Sequence, residues 1–232
     1  MGIRGELWLG DTPLARGLEI DCVPGGWTCL MGASGVGKST LGRIVAGLPV
    51  AARLEGTVSV LAGQVTLMGQ EDQLLPWASA LANVTIGARL RGEVADTARA
   101  RDLLAGLGLA GLEDRRPAAL SGGQRQRVAL ARTLIEDASV VVLDEPFSAL
   151  DAATRAAMQD LAAGLLAGRT VILITHDPLE AARLGDRAFL IAPSGSRPLP
   201  LPASPAPRPL AAPEVLAAQA ALFAALSRPC AG

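Results

Sequence analysis

Apolar positions along this chain fall into short unbroken runs, joined by longer stretches in which they recur at helical spacing. Residues 27–31, Trp-Thr-Cys-Leu-Met, read as a buried strand, and 41–47 as the helix that follows it. Residues 139–143, Ser-Val-Val-Val-Leu, form a second run and 171–175, Val-Ile-Leu-Ile-Thr, a third. Uninterrupted Val and Leu suit parallel strands covered on both faces. Antiparallel strands are expected near 3–9, 18–22 and 56–61. Between 74 and 128 the pattern becomes mainly helical, with apolar residues of 96–109 at the spacing of a helix. The expectation is an α/β fold: a sheet-and-helix core over 1–69 and 130–192, an antiparallel β subdomain, and an inserted α-helical lobe over 74–128. Eight prolines between 193 and 213 predict a stiff linker without regular structure. Residues 214–232 then hold a short helix, with Val215, Gln219, Leu222, Phe223 and Leu226 near one stripe. That helix either caps the core or meets a partner.

Composition narrows the class. The chain has 232 residues, half of them hydrophobic, which suits one domain with an inserted lobe. Mean hydropathy is +0.36, yet no run of about 18 apolar residues escapes charges and turn formers, so no spanning helix is expected. Residues 1–11 carry Arg4, Glu6 and Asp11 and show no signal-peptide pattern. A net charge of −1 gives no electrostatic reason to hold nucleic acid. Cys22, Cys29 and Cys230 lack both a disulfide framework and metal-ligand spacing, which points to a reducing compartment. Among 21 basic residues only Lys38 is lysine; His176 is the single histidine, and tyrosine is absent. Where compositional drift replaces lysine, the survivor should stand where a compact ammonium cannot be exchanged for a planar guanidinium.

Lys38 lies in Gly32-Ala33-Ser34-Gly35-Val36-Gly37-Lys38-Ser39-Thr40, a complete G-x-x-x-x-G-K-[ST] between a strand and a helix. Such a loop turns successive backbone N–H groups toward phosphate oxygens and adds the positive end of the helix. Lys38 would reach the β- and γ-phosphates of a nucleotide, and the Ser39 hydroxyl would bind Mg²⁺. The run at 139–143 delivers Asp144 and Glu145 just past its end, where ligands sit in such sheets. Asp144 would be the second arm on Mg²⁺, and Glu145 a general base for an attacking water. Ser121-Gly122-Gly123-Gln124 offers a second anion-binding helix start, with Ser121 as N-cap. One site does not need two such starts, so the second implies a composite site.

With Leu120 before it and Arg-Gln-Arg-Val-Ala-Leu-Ala-Arg after it, that motif resembles the signature of the ATP-binding subunits of ABC transporters, over residues 3–192. The resemblance implies a RecA-like P-loop core. Ser148-Ala-Leu-Asp151 looks like the family's D-loop, His176 like its switch histidine at the γ-phosphate, and Gln70 like the Q-loop glutamine. That glutamine would sense Mg²⁺ and the attacking water. Two copies of the chain would pair head to tail, each ATP lying between one P-loop and the other copy's Ser121–Gln124. Partners implied are an integral-membrane permease and, indirectly, a solute-binding protein, with the chain at the cytoplasmic face of the membrane. The family stacks adenine on an aromatic residue; Trp8 is the nearest candidate, either stacking or simply packed in its strand. Leu74, Leu75 and Trp77 around Pro76 resemble the place where importer ATPases receive a permease helix, or else close the lobe's own core. Residues 74–77 and 175–184 look most like the nitrate/sulfonate/taurine importer group, and 87–92 like the branch serving thiamine's pyrimidine precursor. The rival classes fit less well: a nucleotide kinase has no use for Ser121–Gln124, and a non-transport ABC ATPase usually carries two cassettes in tandem.

Overall fold

The computed structural model describes residues 1–59 and 65–227. In chain order the first elements are β1 (Gly2–Leu9), β2 (Thr12–Asp21), β3 (Trp27–Gly32), α1 (Lys38–Val45), β4 (Ala52–Ser59) and β5 (Val65–Met68). The middle of the chain is helical: α2 (Ala80–Val84), α3 (Ile86–Leu90), α4 (Thr97–Gly106) and α5 (Gly122–Leu134). Then follow β6 (Val140–Asp144), α6 (Ala152–Leu165), β7 (Thr170–Ile174), α7 (Pro178–Leu184), β8 (Arg187–Ala192), β9 (Gly195–Leu199) and α8 (Pro213–Ser227). Among the described residues no helix is long and apolar enough to cross a membrane.

The chain divides into two compact units, one of 1–67, 139–145 and 167–232, the other of 68–138 and 146–166. The first holds a three-stranded sheet of order β2-β1-β4, antiparallel throughout. The second sheet has six strands in the order β5-β6-β7-β3-β8-β9. Within it β6, β7, β3 and β8 run parallel. Every residue of β3, β6 and β7 is buried, as their unbroken apolar runs require. Ile3, Leu7, Leu18 and Ile20 of the antiparallel strands join Leu41 and Val45 of α1 and Val142, Ile172 and Ile191 of the large sheet in one apolar cluster. Each such side chain removed from water contributes about 1.5–3 kcal/mol. The cluster therefore fixes α1 against β3, β6 and β7.

The second unit contains α2 to α6, so the helical lobe expected over 74–128 lies inside it. Its core includes Leu103, Leu104, Leu107 and Val128. Asn83, fully buried on α2, holds the turn at 75–79 from within: its amide donates to the carbonyls of Leu75, Ala78 and Ser79 and accepts the Leu75 N–H at 2.7 Å.

The expected linker over 193–213 needs correction. Residues 195–199 form β9, antiparallel to β8 at the edge of the large sheet, with Pro198 opposite Phe189. An edge strand tolerates proline where no ladder N–H is needed, so the proline count misled the reading. Gly195 is required there: at φ +128° an added Cβ would stand 2.5 Å from the Arg16 carbonyl. Along α8 Val215 and Leu222 are buried, while Phe223, expected on the same stripe, is exposed. β2 begins earlier than expected, at Thr12, and β5 was not anticipated. Residues 60–61 of an expected strand and residues 228–232 of the expected tail segment, Cys230 among them, lie outside the described residues.

Candidate active site

The sequence candidates divide between the two units. The first unit holds Trp8, the loop Gly32–Thr40, Asp144, Glu145 and His176; the second holds Gln70, Ser121–Gln124 and Asp151.

In the first unit, β3, β6 and β7 end side by side and each end carries chemistry. The loop after β3 depends on glycine. An alanine at Gly32 would press its Cβ into the Ile191 carbonyl, and one at Gly37 would meet Leu7 Cδ2 at 2.5 Å; both backbones have positive φ. Gly37 is the N-cap of α1 and no side chain caps that helix, leaving its first N–H groups for an anion. Lys38 is only 8 % exposed. Its Nζ donates to the carbonyls of Gly32 and Ala33, both at 2.8 Å, which folds the side chain back over the loop. Burial lowers the Lys38 pKa from its ordinary value, while Glu145 and Asp144 nearby work to raise it.

Asp144, at the end of β6, is 4 % exposed. Burial raises its pKa, and the hydrogen bond with Ser39 acts in the opposite direction. Its Oδ1 is buried without a hydrogen-bond partner. An unpartnered carboxylate oxygen beside a serine hydroxyl is a hard-oxygen donor pair of the kind Mg²⁺ takes, alongside waters and phosphate oxygens. The residues present fit that ion.

Glu145 turns out of the strand into the left-handed region at φ +50°, a sparsely populated conformation for a side-chain-bearing residue. Its N–H is bonded to the Ile174 carbonyl at 2.9 Å, which pins the turn to β7. So placed, Glu145 Oε1 lies 3.0 Å from Nδ1 of His176, whose side chain is 67 % exposed. The arrangement joins a carboxylate able to take a proton from water with an imidazole able to face a phosphate.

Trp8, on β1, is half-buried, with the guanidinium groups of Arg16 and Arg53 at 5.6 and 5.5 Å from its ring centroid. Its π face is thus engaged by cations.

In the second unit Ser121 caps α5 in a complete capping box: Gln124 N–H donates to Ser121 Oγ at 3.2 Å and Ser121 N–H to Gln124 Oε1 at 2.8 Å. A hydroxyl that accepts still has its own hydrogen to donate. Gly123 lies close to Leu150 and the Ala149 carbonyl, where an added Cβ would sit at 3.2–3.3 Å. Asp151 caps α6, accepting the Thr154 N–H at 3.0 Å, and that bond holds its carboxyl below the usual carboxylate range. Gln70 is exposed and lines a cavity with Gly122, Arg125, Gln126 and Ser148. Of the three apolar residues around Pro76, Leu74 is buried in the lobe, whereas Trp77 is 70 % exposed.

Two residues of this unit escaped the sequence reading. Arg125 pairs with Asp72 at 2.8 Å, and Arg132 donates to the carbonyls of Asp72 and Gln73 at 2.7 and 2.9 Å. Both stand on α5 two turns apart, and that spacing on one helix face was the signal available. Together they tie the stretch after Gln70 to the helix that Ser121 caps.

A glycine loop with its lysine, an Asp-Glu pair and a histidine at adjoining ends of a largely parallel sheet define a nucleotide triphosphatase of the P-loop class. The chain belongs to the ABC transporter family, which matches residues 15–148. It is an ATP-binding domain of that family, an ATPase coupled to transport. It is 48% identical over 190 residues to the aliphatic sulfonates import ATP-binding protein SsuB 1 of Rhodococcus jostii, a match covering 80% of this chain and 76% of that one. It is 46% identical over 187 residues to the aliphatic sulfonates import ATP-binding protein SsuB of Rhodopseudomonas palustris, covering 78% and 66%. Among solved structures it resembles a dimeric ATP-binding cassette in a post-hydrolysis state bound to ADP and Pi, with a TM-score of 0.73, 26% identity, and coverage of 87% and 97%.

Proposed function

We propose that this chain is the ATP-hydrolysing subunit of an importer for aliphatic sulfonates, working as a head-to-tail pair at the cytoplasmic face of a membrane permease fed by a solute-binding protein. The observation that carries the ATPase half is the 3.0 Å approach of Glu145 to His176 beside the buried Lys38 and Asp144. Lys38 exchanges the Gly32 and Ala33 carbonyls for β- and γ-phosphate oxygens, while the loop amides and the uncapped start of α1 hold the rest of the phosphate chain. Mg²⁺, held by Ser39 and Asp144, would neutralise phosphate charge. Glu145 accepts a proton from the attacking water. His176, with Nδ1 toward Glu145, has Nε2 left for the γ-phosphate. Ser121 of the second copy donates its hydroxyl hydrogen to the same phosphate, and the two signature glycines leave the start of α5 open to it. Gln70 links the site to the permease, with Arg125 and Arg132 keeping the following residues in place and Trp77 offered to a permease helix.

The cargo rests on kinship, because the ATPase does not touch the solute. The relatives described above are named for aliphatic sulfonates, which favours that branch and sets aside the thiamine precursor anticipated from residues 87–92. The test is ATP-driven uptake of a labelled alkanesulfonate into vesicles carrying the chain, its permease and its binding protein. Saturable uptake that Glu145→Gln abolishes is expected. Uptake of another solute that no alkanesulfonate competes with would overturn the assignment.

A further inference from the structure

His176 is carried on a short segment between β7 and α7; the Thr175 N–H ties it to the Leu30 carbonyl of β3 at 3.2 Å, and further bonds reach it from the C-terminal side. Thr175 is buried; its hydroxyl donates to Glu180 Oε2 at 2.7 Å and accepts the Asp177 N–H at 3.0 Å. Asp177 in turn caps α7, accepting the Leu179 N–H at 2.8 Å. Glu180 stands on α7 and is buried. A hydrogen bond from a hydroxyl to a buried carboxylate is charge-assisted and directional. It therefore sets the backbone on which the next residue, His176, is mounted.

α7 has only seven residues, too few to be stable without tertiary support. α7 packs on α8 and buries Ala181, Ala182 and Leu184, and it is held further by Arg208, which is buried in the C-terminal segment. Its guanidinium donates to the Ala182 carbonyl at 2.9 Å and the Gly185 carbonyl at 2.8 Å, groups a helix end leaves without partners. It also holds its own segment through the carbonyls of Pro202 and Ser204, both at 2.8 Å. The backbones of Arg183 and Arg208 are bonded directly, at 2.9 Å. All of these residues belong to the first unit.

We propose that Thr175 and Glu180 are positioning residues for His176, and that Arg208 holds their helix, so that the C-terminal segment sets the geometry of the γ-phosphate site. The proposal rests on the reading of His176 given under Proposed function. A merely structural network would lower stability without interacting with His176. A positioning network loses its effect on turnover once that histidine is gone.

The test is a double-mutant cycle on ATP turnover by the full chain, with ATP binding measured alongside. Thr175→Val, nearly isosteric, should lower kcat about 10-fold with KM for ATP within about twofold. Thr175→Ser, which keeps the hydroxyl, should restore most of the rate. Arg208→Met should lower kcat in the same sense. In a His176→Ala background Thr175→Val should cause no further loss. Wild-type turnover in Thr175→Val, or an equal factor lost with and without His176, would overturn this proposal alone. Wild-type turnover in His176→Ala would overturn the reading of His176 and the proposal with it. Should Arg208→Met fail to fold, the Thr175 cycle still decides.

Discussion

Single residues carry the chemistry, and some of them were legible before any coordinates. Lys38 and His176, each the only one of its kind, stand at the same cluster of strand ends. In a chain that uses arginine for every other basic position, Lys38 fills a slot between two carbonyls 2.8 Å away. A guanidinium is broader and planar and cannot enter that slot in the same way. Lys38→Arg should therefore cut ATP hydrolysis by about 100-fold or more, read by phosphate release, while the melting temperature stays near that of the parent. Unchanged hydrolysis would remove Lys38 from the site. The contacts themselves were not legible: neither the fold of Lys38 onto its loop nor the turn at Glu145 leaves a mark on spacing. The first is set by the loop's own backbone, five and six residues before Lys38, and the second by where β7, distant in sequence, comes to lie. Trp8 shows the same limit. Its residue type announced an aromatic platform, but the two guanidinium groups at its ring come from strands β2 and β4.

At the scale of elements, the buried parallel strands and the signature helix were readable because their patterns are local. The apolar runs at β3, β6 and β7 and the Ser-x-x-Gln cap of α5 each lie within a few residues. β9 was missed because an edge position, which excuses proline, is a property of the whole sheet. The cap of α5 also separates two roles of Ser121. An aspartate keeps the cap, since its carboxylate accepts the Gln124 N–H, but it repels phosphate. Ser121→Asp should leave the melting temperature within a few degrees of the parent and abolish most ATP turnover, measured by calorimetry and by phosphate release. If turnover survives, Ser121 faces no phosphate. Arg125 and Arg132 add a link that motif reading does not supply, since it depends on the backbone of 72–73 meeting α5.

The whole molecule adds what neither scale contains. Its two units each hold part of the candidate set: the Asp144–Glu145 pair, His176 and the phosphate loop in one, the signature and Gln70 in the other. A signature helix whose exposed N-terminus carries a hydroxyl hydrogen completes a site only when an anion is brought to it, and in the proposed head-to-tail pair the second copy's phosphate loop would supply that anion. Glu145→Gln removes the base but keeps the ATP-binding groups, so nucleotide should bind without being consumed. The most direct test of the account is light scattering on the Glu145→Gln chain with and without MgATP. A monomer is expected without nucleotide and a stable dimer with it, dispersed again when ATP is removed. A variant that binds ATP yet stays monomeric, or one that still hydrolyses it at the parental rate, would contradict the account.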